Sequence, residues 1–506
     1  MGRSLFRMLH RRFGTRLSGK ERTRRAAEHY ERIRSALPLD MVKASPRAGA
    51  HPASVAIIGA GFAGCAAAFL ARLLNLKITV YDGLGTPGGR VSSSQSIVSG
   101  RILEAGAELI GLNHPAWIAF TTAAGYALSV VTPDDDYSGA QLNSPLILDG
   151  VSYNQSMQEQ LYNDMQTVFS DWVTASAVVT TPLTPWLTQN ASTLDAQNLG
   201  AQIPQGTPTD VVEAIGTEFE LNNTIAIGDQ SWLASLAQFA AGGGQGFFDD
   251  TEVFRCTAGN QQLAYWLLGD LPLHQRTVTA IDTSTVNSQT VATLTFKDGE
   301  QAGPFDFVIV AIPVAHWKSL QVDGGDFPYH GIGYGPAIKY LAPLAQRFWI
   351  PQQLAPSGMS DVLGMTWEGT DNQADTAGFD LTVFAGGAAA TTAIQSGDRD
   401  TYFAQQISTL YPGFPANTSG TFVYYPDKEP TMQWGYSCPM PNQVVNAQQS
   451  YVTPYENCLF VAGEHTSPAW FGFMEGALES GVAAAGRIAQ ILFDKLPPEW
   501  GGTTAL

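Results

Sequence analysis

At 506 residues, 44% hydrophobic and 14% charged, the chain is long enough to bury the cores of two or three domains. A formal net charge of −18 excludes nucleic acid as a general partner, since phosphate binding needs a basic face. Cys65, Cys256, Cys438 and Cys458 lack the C-x-x-C spacing of a zinc site, which fits a reducing, cytoplasmic setting, and no run approaches the ~18 apolar residues of a membrane-spanning helix.

Residues 1–34 hold 11 of the 27 basic side chains. No apolar core of roughly 7 to 15 residues follows these charges, so the segment does not read as a secretory signal. Leu5, Phe6, Leu9 and Phe13 recur at near-helical spacing opposite arginines, the pattern of a basic amphipathic helix. The expectation is an N-terminal arm over 1–50 that packs on the acidic body or on a second subunit, with a homodimer and membrane-surface contact left open. Pro38, Pro46 and Pro52 mark the linker into the fold.

Ser54–Ile58 is a short Val/Ile run, Gly59, Gly61 and Gly64 form G-x-G-x-x-G, and Cys65–Leu74 is Ala/Leu-rich. A second apolar run, Lys77–Tyr81, ends on Asp82. Strand, tight turn, helix and strand with a terminal acid make the dinucleotide fingerprint. Gly59 permits the turn, Gly61 admits a pyrophosphate, Gly64 lets the helix pack closely, and Asp82 accepts from a ribose hydroxyl. Gly88-Gly89-Arg90 follows. From Ala116 to about Gly246 the pattern turns to long amphipathic helices such as Met157–Val173 and Val211–Leu221.

Val278–Ile281, Val291–Phe296 and Phe307–Ile312 then read as strands, and Ile332–Phe379 with Leu381–Ala385 as a mixed sheet. Lys339 is a lone charge in the strand-like run GPAIKYLAPL, where burial is costly unless the ammonium is hydrogen-bonded. Near the end, FVAGEHT places Gly463-Glu464 after a strand, and Met474 opens an Ala-rich helix.

In its Gly-Gly-Arg turn, its Val278 strand and its FVAGEHT and GFMEGA blocks, the chain resembles the flavin-dependent amine oxidase family of monoamine, polyamine and L-amino-acid oxidases. The resemblance implies an α/β fold: a discontinuous, glutathione-reductase-like, Rossmann-type FAD domain (51–117, 247–320, 453–495) and a substrate domain (118–246, 321–452) of mixed sheet plus helical insert. It implies FAD held non-covalently, with Gly88, Gly89 and Arg90 against its phosphates or flavin edge and Val278 meeting the adenine. It places Gly463 and Glu464 on the ribityl chain and the helix at Met474 towards the pyrimidine. Lys339 then holds a water beside flavin N5, and Phe473, with Trp434 or Tyr436 and neighbouring Trp470, forms an aromatic cage for a neutral amine.

Two departures matter. The stretch GAELIG carries Glu108 and Leu109 where L-amino-acid oxidases of the family have an arginine for the substrate carboxylate, so Arg255 or Arg347 would have to substitute. Cys438 does not match the position of a covalent flavin link. The expected activity is oxidation of an amine by hydride transfer to flavin N5, with O2 as acceptor giving imine and H2O2. The alternatives are an L-amino-acid oxidase with a relocated clamp and a membrane-associated flavin desaturase or dehydrogenase.

Overall fold

The computed structural model describes residues 4–14, 20–21, 24–25, 28, 52–131, 142–373, 378–414, 421–423 and 435–493. Trp434 and the linker prolines Pro38 and Pro46 lie outside them.

Three sheets organise the chain. The first has five parallel strands in the order Leu459–Val461, Phe307–Val310, Ser54–Ile58, Lys77–Asp82 and Leu273–Gln275. The inner strands are near-continuous Val/Ile runs because both faces of the sheet are covered, Val55 and Ile57 by helices and Ala56 and Ile58 by the strands Val278–Val286 and Gln289–Phe296. The helix Phe62–Leu73 packs so tightly on its strand that a Cβ on Gly64 would sit 1.8 Å from the Gly59 carbonyl oxygen. The C-terminal helix Met474–Phe493 crosses it just as closely, since a Cβ on Gly481 would lie 2.1 Å from the Ala63 oxygen. A four-stranded sheet, in the order Gln301–Phe305, Gln289–Phe296, Val278–Val286 and Gln321–Val322, leads back to the parallel sheet at Phe307.

The third sheet has seven strands: Thr421–Val423, Ala337–Leu344, Phe379–Gly386, Gly364–Glu368, Gly358–Ser360, Leu146–Leu148 and Val151–Ser152. It is mixed, with Gly358–Ser360 parallel to Leu146–Leu148. Helices Gln155–Ser176, Thr209–Asn223 and Trp232–Ala241 share its core. The insert over 118–246 carries these long helices and short strands as well. Leu146–Leu148 and Val151–Ser152 complete the edge of the sheet, and Leu128–Val130 pairs with Phe254–Cys256. Runs of two or three residues carry too little alternation to stand out from flanking helix.

The first turns of the expected arm pack on the body of the same chain: Leu5–Phe13 is a helix, as its spacing predicts, and Leu5, Phe6, Met8 and Leu9 are buried in the core of the helical half. The Phe6 ring packs 4.7 Å from Phe169 and 5.5 Å from Phe248, centroid to centroid. Its first backbone N–H groups are received by two buried acids: Ser4 N–H donates to Glu252 at 3.2 Å and Phe6 N–H to Glu218 at 3.1 Å. The apolar face is thus inside the protein. Among the described residues, no helix is long and apolar enough to cross a membrane.

Burial pushes the Glu218 carboxyl up to about 8, outweighing the Phe6 N–H, with like-charged Glu252 adding to the rise. Between its ordinary value and that point the folded chain binds the proton more tightly than the unfolded chain, so this contribution to stability declines as pH rises from about 5 to about 9. Glu218→Gln is therefore expected to flatten the loss of stability over that range. Urea titrations of both proteins at a series of pH values check it, and an unchanged pH slope in the variant contradicts it.

Candidate active site

The Gly59 carbonyl end of the first strand, the Gly88-Gly89-Arg90 turn, Val278, the 463–464 and 472–474 segments and the floor of the seven-stranded sheet line one groove. It encloses about 1660 Å³, open mouth included.

At one end lies the fingerprint. Gly59 has φ +104°, and a Cβ there would lie 2.7 Å from the Ala311 oxygen. Gly61 differs: a Cβ would find only the Gly88 oxygen, at 4.0 Å, so the backbone is bare towards the groove. Gly61 precedes Phe62–Leu73 as its N-cap without a side-chain hydrogen bond. A helix start left uncapped beside a bare glycine fits an anionic pyrophosphate. This is the observation by which the residues present fit a flavin dinucleotide. Asp82 lines the same end, but it also does work the glycine pattern does not announce. Its Oδ2 accepts from Ala60 N–H at 2.8 Å and its Oδ1 from Leu84 N–H at 2.7 Å and Gly85 N–H at 3.2 Å, stapling the turn while leaving one acceptor position, on Oδ2, for a ribose. Gly64 stands outside the lining, at the helix–strand contact described above.

Glu464 departs from its expected simplicity. Its Oε1 accepts from Arg90 Nη1 at 2.9 Å and from Ser437 N–H at 3.3 Å, and its Oε2 from Ser437 Oγ at 2.5 Å and Gly472 N–H at 2.6 Å. Four protein donors fill a carboxylate's four acceptor positions. Burial opposes ionisation here, yet Arg90 and these donors hold the carboxyl below the ordinary carboxylate range. Arg90 also donates to the Gly435 carbonyl at 2.7 Å. The pair ties the Gly-Gly-Arg turn to the strand end at Gly463 and to the segment bearing Tyr436.

Lys339 reaches the groove wall from the strand Ala337–Leu344 and is 3% exposed. Its Nζ donates to the Glu104 carbonyl at 2.6 Å, the Gly106 carbonyl at 3.2 Å and Glu108 Oε2 at 2.5 Å. An ammonium has three protons, so the expected role of holding a water through Nζ is corrected: all three are already engaged. Burial works against the Glu108 charge, but Lys339 and Arg255 hold that carboxyl down to about 2.

The aromatic expectations separate. Tyr436 and Phe473 both line the groove, and Tyr436 stacks on Phe384 at 6.3 Å and 13°. Trp470 does not line it: fully buried, it stands behind Phe473 at 5.2 Å, edge-on, and against His114 at 4.9 Å. Its place one turn before the helix faces it inward, because Phe473 and Met474 fill the groove side. Phe384 and Trp367, which motif reasoning missed, come from the sheet floor. Phe384 is the cross-strand partner of both Lys339 and Met365, and Trp367 lies two residues beyond Met365, so period-2 alternation puts all of them on one face. That alternation was their available signal.

Neither substitute carboxylate clamp reaches the groove. Arg255 is bound by Glu108, Asp371 and the Glu368 carbonyl, and Arg347 pairs with the Glu368 carboxylate at 2.8 Å. Cys438 is buried outside the lining, and burial raises its thiol. Among the described residues no group of three or more His, Cys, Asp or Glu side chains is placed to hold a metal ion.

Several solved structures share this fold. The fold matches that of a cyclohexylamine oxidase from Brevibacterium oxydans IH-35A at TM-score 0.73 and 17% identity, covering 87% of this chain and 100% of that one. It matches wild-type putrescine oxidase bound to putrescine at TM-score 0.71 and 17% identity, covering 87% and 99%. At such identities the likeness is one of fold. A sequence relative, the tRNA 5-methylaminomethyl-2-thiouridine biosynthesis bifunctional protein MnmC of Magnetococcus marinus, is 30% identical over 144 residues, which is 28% of this chain and 21% of that protein, so the match spans about a fifth of the relative. Residues 62–489, most of the chain, match the family described as flavin-containing amine oxidoreductase, and the chain belongs to that family.

Proposed function

We propose that the protein holds FAD non-covalently in this groove and oxidises a C–N bond of a small primary or secondary amine, with O2 as the electron acceptor. The observation that carries the reading is the convergence of Gly61, Val278 and Glu464, from three distant parts of the chain, with Lys339, Tyr436 and Phe473 on one groove. FAD, when bound, supplies the acceptor for a hydride from the amine α-carbon and passes the electron pair to O2 as H2O2. The uncapped helix start with Gly61, Gly88 and Gly89 would hold the pyrophosphate, Asp82 a ribose, and Val278 the adenine end. Arg90, Gly463 and Met474 would hold the flavin end, with Glu464 fixing Arg90 in place.

The chain's own part is to position and to exclude water. Tyr436, Phe384, Trp367 and Phe473 present apolar faces to a substrate that enters as the neutral amine, and such faces prefer it to a hydrated carboxylate. The amine nitrogen gives up its proton as the imine forms, and water then hydrolyses the imine to a carbonyl compound and ammonia or an amine. Arg255 and Arg347 are engaged elsewhere, and the arginines that line the groove are paired, Arg90 with Glu464 and Arg276 with Asp298 and Glu300, which favours amines over the L-amino-acid oxidase alternative. The burial of Leu5, Phe6 and Leu9 weighs against the membrane-associated desaturase.

The test is to mix the yellow protein with a panel of amines and L-amino acids without oxygen and follow bleaching of the flavin band. Bleaching by amines, reversed by air with release of H2O2, is expected. A colourless protein, or bleaching confined to α-amino acids, overturns the proposal.

A further inference from the structure

We propose that Glu108 is a positioning residue of this site: it supplies the counter-charge of the Lys339 ammonium and fixes Lys339 and Trp367 in the groove wall. The inference rests on the amine oxidation reading above and adds a residue to it.

Glu108 is 2% exposed and stands behind the groove, not in its lining. Its Oε2 accepts a hydrogen bond from Lys339 Nζ at 2.5 Å, while its Oε1 accepts from Trp367 Nε1 at 2.9 Å and from Arg255 Nε at 2.6 Å. Lys339 and Trp367 do line the groove, with Nζ 5.2 Å from the indole ring centroid. One carboxylate therefore sets the place of both. Arg255 anchors it from behind, held in turn by Asp371 and the Glu368 carbonyl. Glutamine is isosteric but cannot replace it: its single carbonyl oxygen serves one side, and its NH2 then faces donors on the other.

The other charged or titratable groups around Lys339 are Glu104, on the turn beneath it, and Asp380, on the neighbouring strand. Burial pushes Glu104 up to about 7 and Asp380 up to about 8, so Glu108 is the neighbour that carries the balancing charge. Arg255 is the nearest further cation, with Asp371 as its own partner, and Glu368 is paired with Arg347. A buried ammonium stripped of its counter-ion gives up its proton more readily. The variant's charge at the groove wall then follows pH differently from the parent's, in which Glu108 stays ionised beside Lys339 while Glu104 and Asp380 ionise near 7 and 8.

The experiment uses the FAD-loaded full chain as the parent, Glu108→Gln, Lys339→Met and the double variant, titrated with dithionite across pH 6 to 10. E108Q is expected to have a flavin midpoint potential above the parent's at acid pH, because the wall gains a positive charge that favours anionic reduced flavin, and to converge on the parent at alkaline pH. K339M is expected to lie below the parent throughout, and the double variant to show no pH-dependent offset. In anaerobic stopped flow with an amine that bleaches the parent, E108Q is expected to reduce at least tenfold more slowly, with an added ionisation that the double variant lacks. Should E108Q fail to fold, Glu108→Asp, which keeps the charge but shortens the reach, is expected to slow reduction without adding the ionisation. A folded E108Q whose potential tracks the parent's at every pH, or an E108D with parental reduction rates, overturns the inference and leaves Glu108 a packing residue. The dithionite titration needs no substrate, so a parent that no amine bleaches overturns the functional proposal separately.

Discussion

Gly64→Ala is expected to leave the protein with little or no bound flavin. The methyl group would arrive 1.8 Å from the Gly59 carbonyl oxygen and 3.3 Å from the Ile57 side chain, where no real Cβ fits. The Gly59 oxygen belongs to the backbone of the turn and cannot rotate aside, whereas only the Ile57 methyl can give. The helix Phe62–Leu73 must back away from the sheet, and its uncapped N-terminus, which faces the groove, withdraws with it. The C-terminal helix is in turn wedged against Ala63, so the shift is resisted on both sides and the strain stays at the turn. Overpacking of a closely fitted core costs ~1 to 3 kcal/mol even where flexible side chains absorb it, and a backbone obstacle is worse. An affinity fall of a hundredfold or more follows from the ~1.4 kcal/mol that each factor of ten represents. Equilibrium dialysis of FAD against the apoprotein checks it, and parental affinity in the variant refutes the close-packing role of Gly64.

The second large effect is expected from Glu464→Leu. Removing this carboxylate leaves the Arg90 guanidinium, Ser437 and the Gly472 N–H without the acceptor they share. Breaking one side of a buried ion pair costs ~3 to 5 kcal/mol, because the surviving charge remains desolvated. Arg90 is partly exposed, with 23% of its side chain accessible, so water recovers some of that and the lower end applies. The loss falls where three segments are tied together, so flavin release and a drop in thermal midpoint are expected together. Glu464→Gln, which keeps one acceptor oxygen, is expected to lie between parent and Leu variant. Calorimetry with and without added FAD separates the two readouts. Retention of flavin by the Leu variant would show that the knot is dispensable.

What was legible beforehand followed the range over which each signal acts. The fingerprint turn, Asp82 and the strand–helix block at Leu459–Met474 are local arrangements, written in glycines and in the change from period 2 to period 3.6, and they fall on the groove. The hold of Glu108 on Lys339 spans 231 positions, and no spacing rule connects them. Its sole trace was negative: a lysine in an apolar strand demands a partner without naming one. Likewise the ring of Trp470 carries no mark that it packs behind Phe473, and Arg255 and Arg347 look free in sequence until their partners are in place. The N-terminal helix was recognised by its periodicity, but an apolar stripe flanked by arginines reads the same whether its face meets a membrane or a protein core.

The parallel sheet also constrains how the protein is made. Ser54–Ile58, among the first strands to leave the ribosome, waits for Phe307–Val310 to become its neighbour, and that strand waits for Leu459–Val461 near the far end of the chain. Pairings so distant close slowly, and in the interval the Val/Ile edge of the nascent sheet has nothing beside it. Synthesis cut short before Leu459 would release a chain with an open, apolar strand edge, a substrate for chaperones and for aggregation.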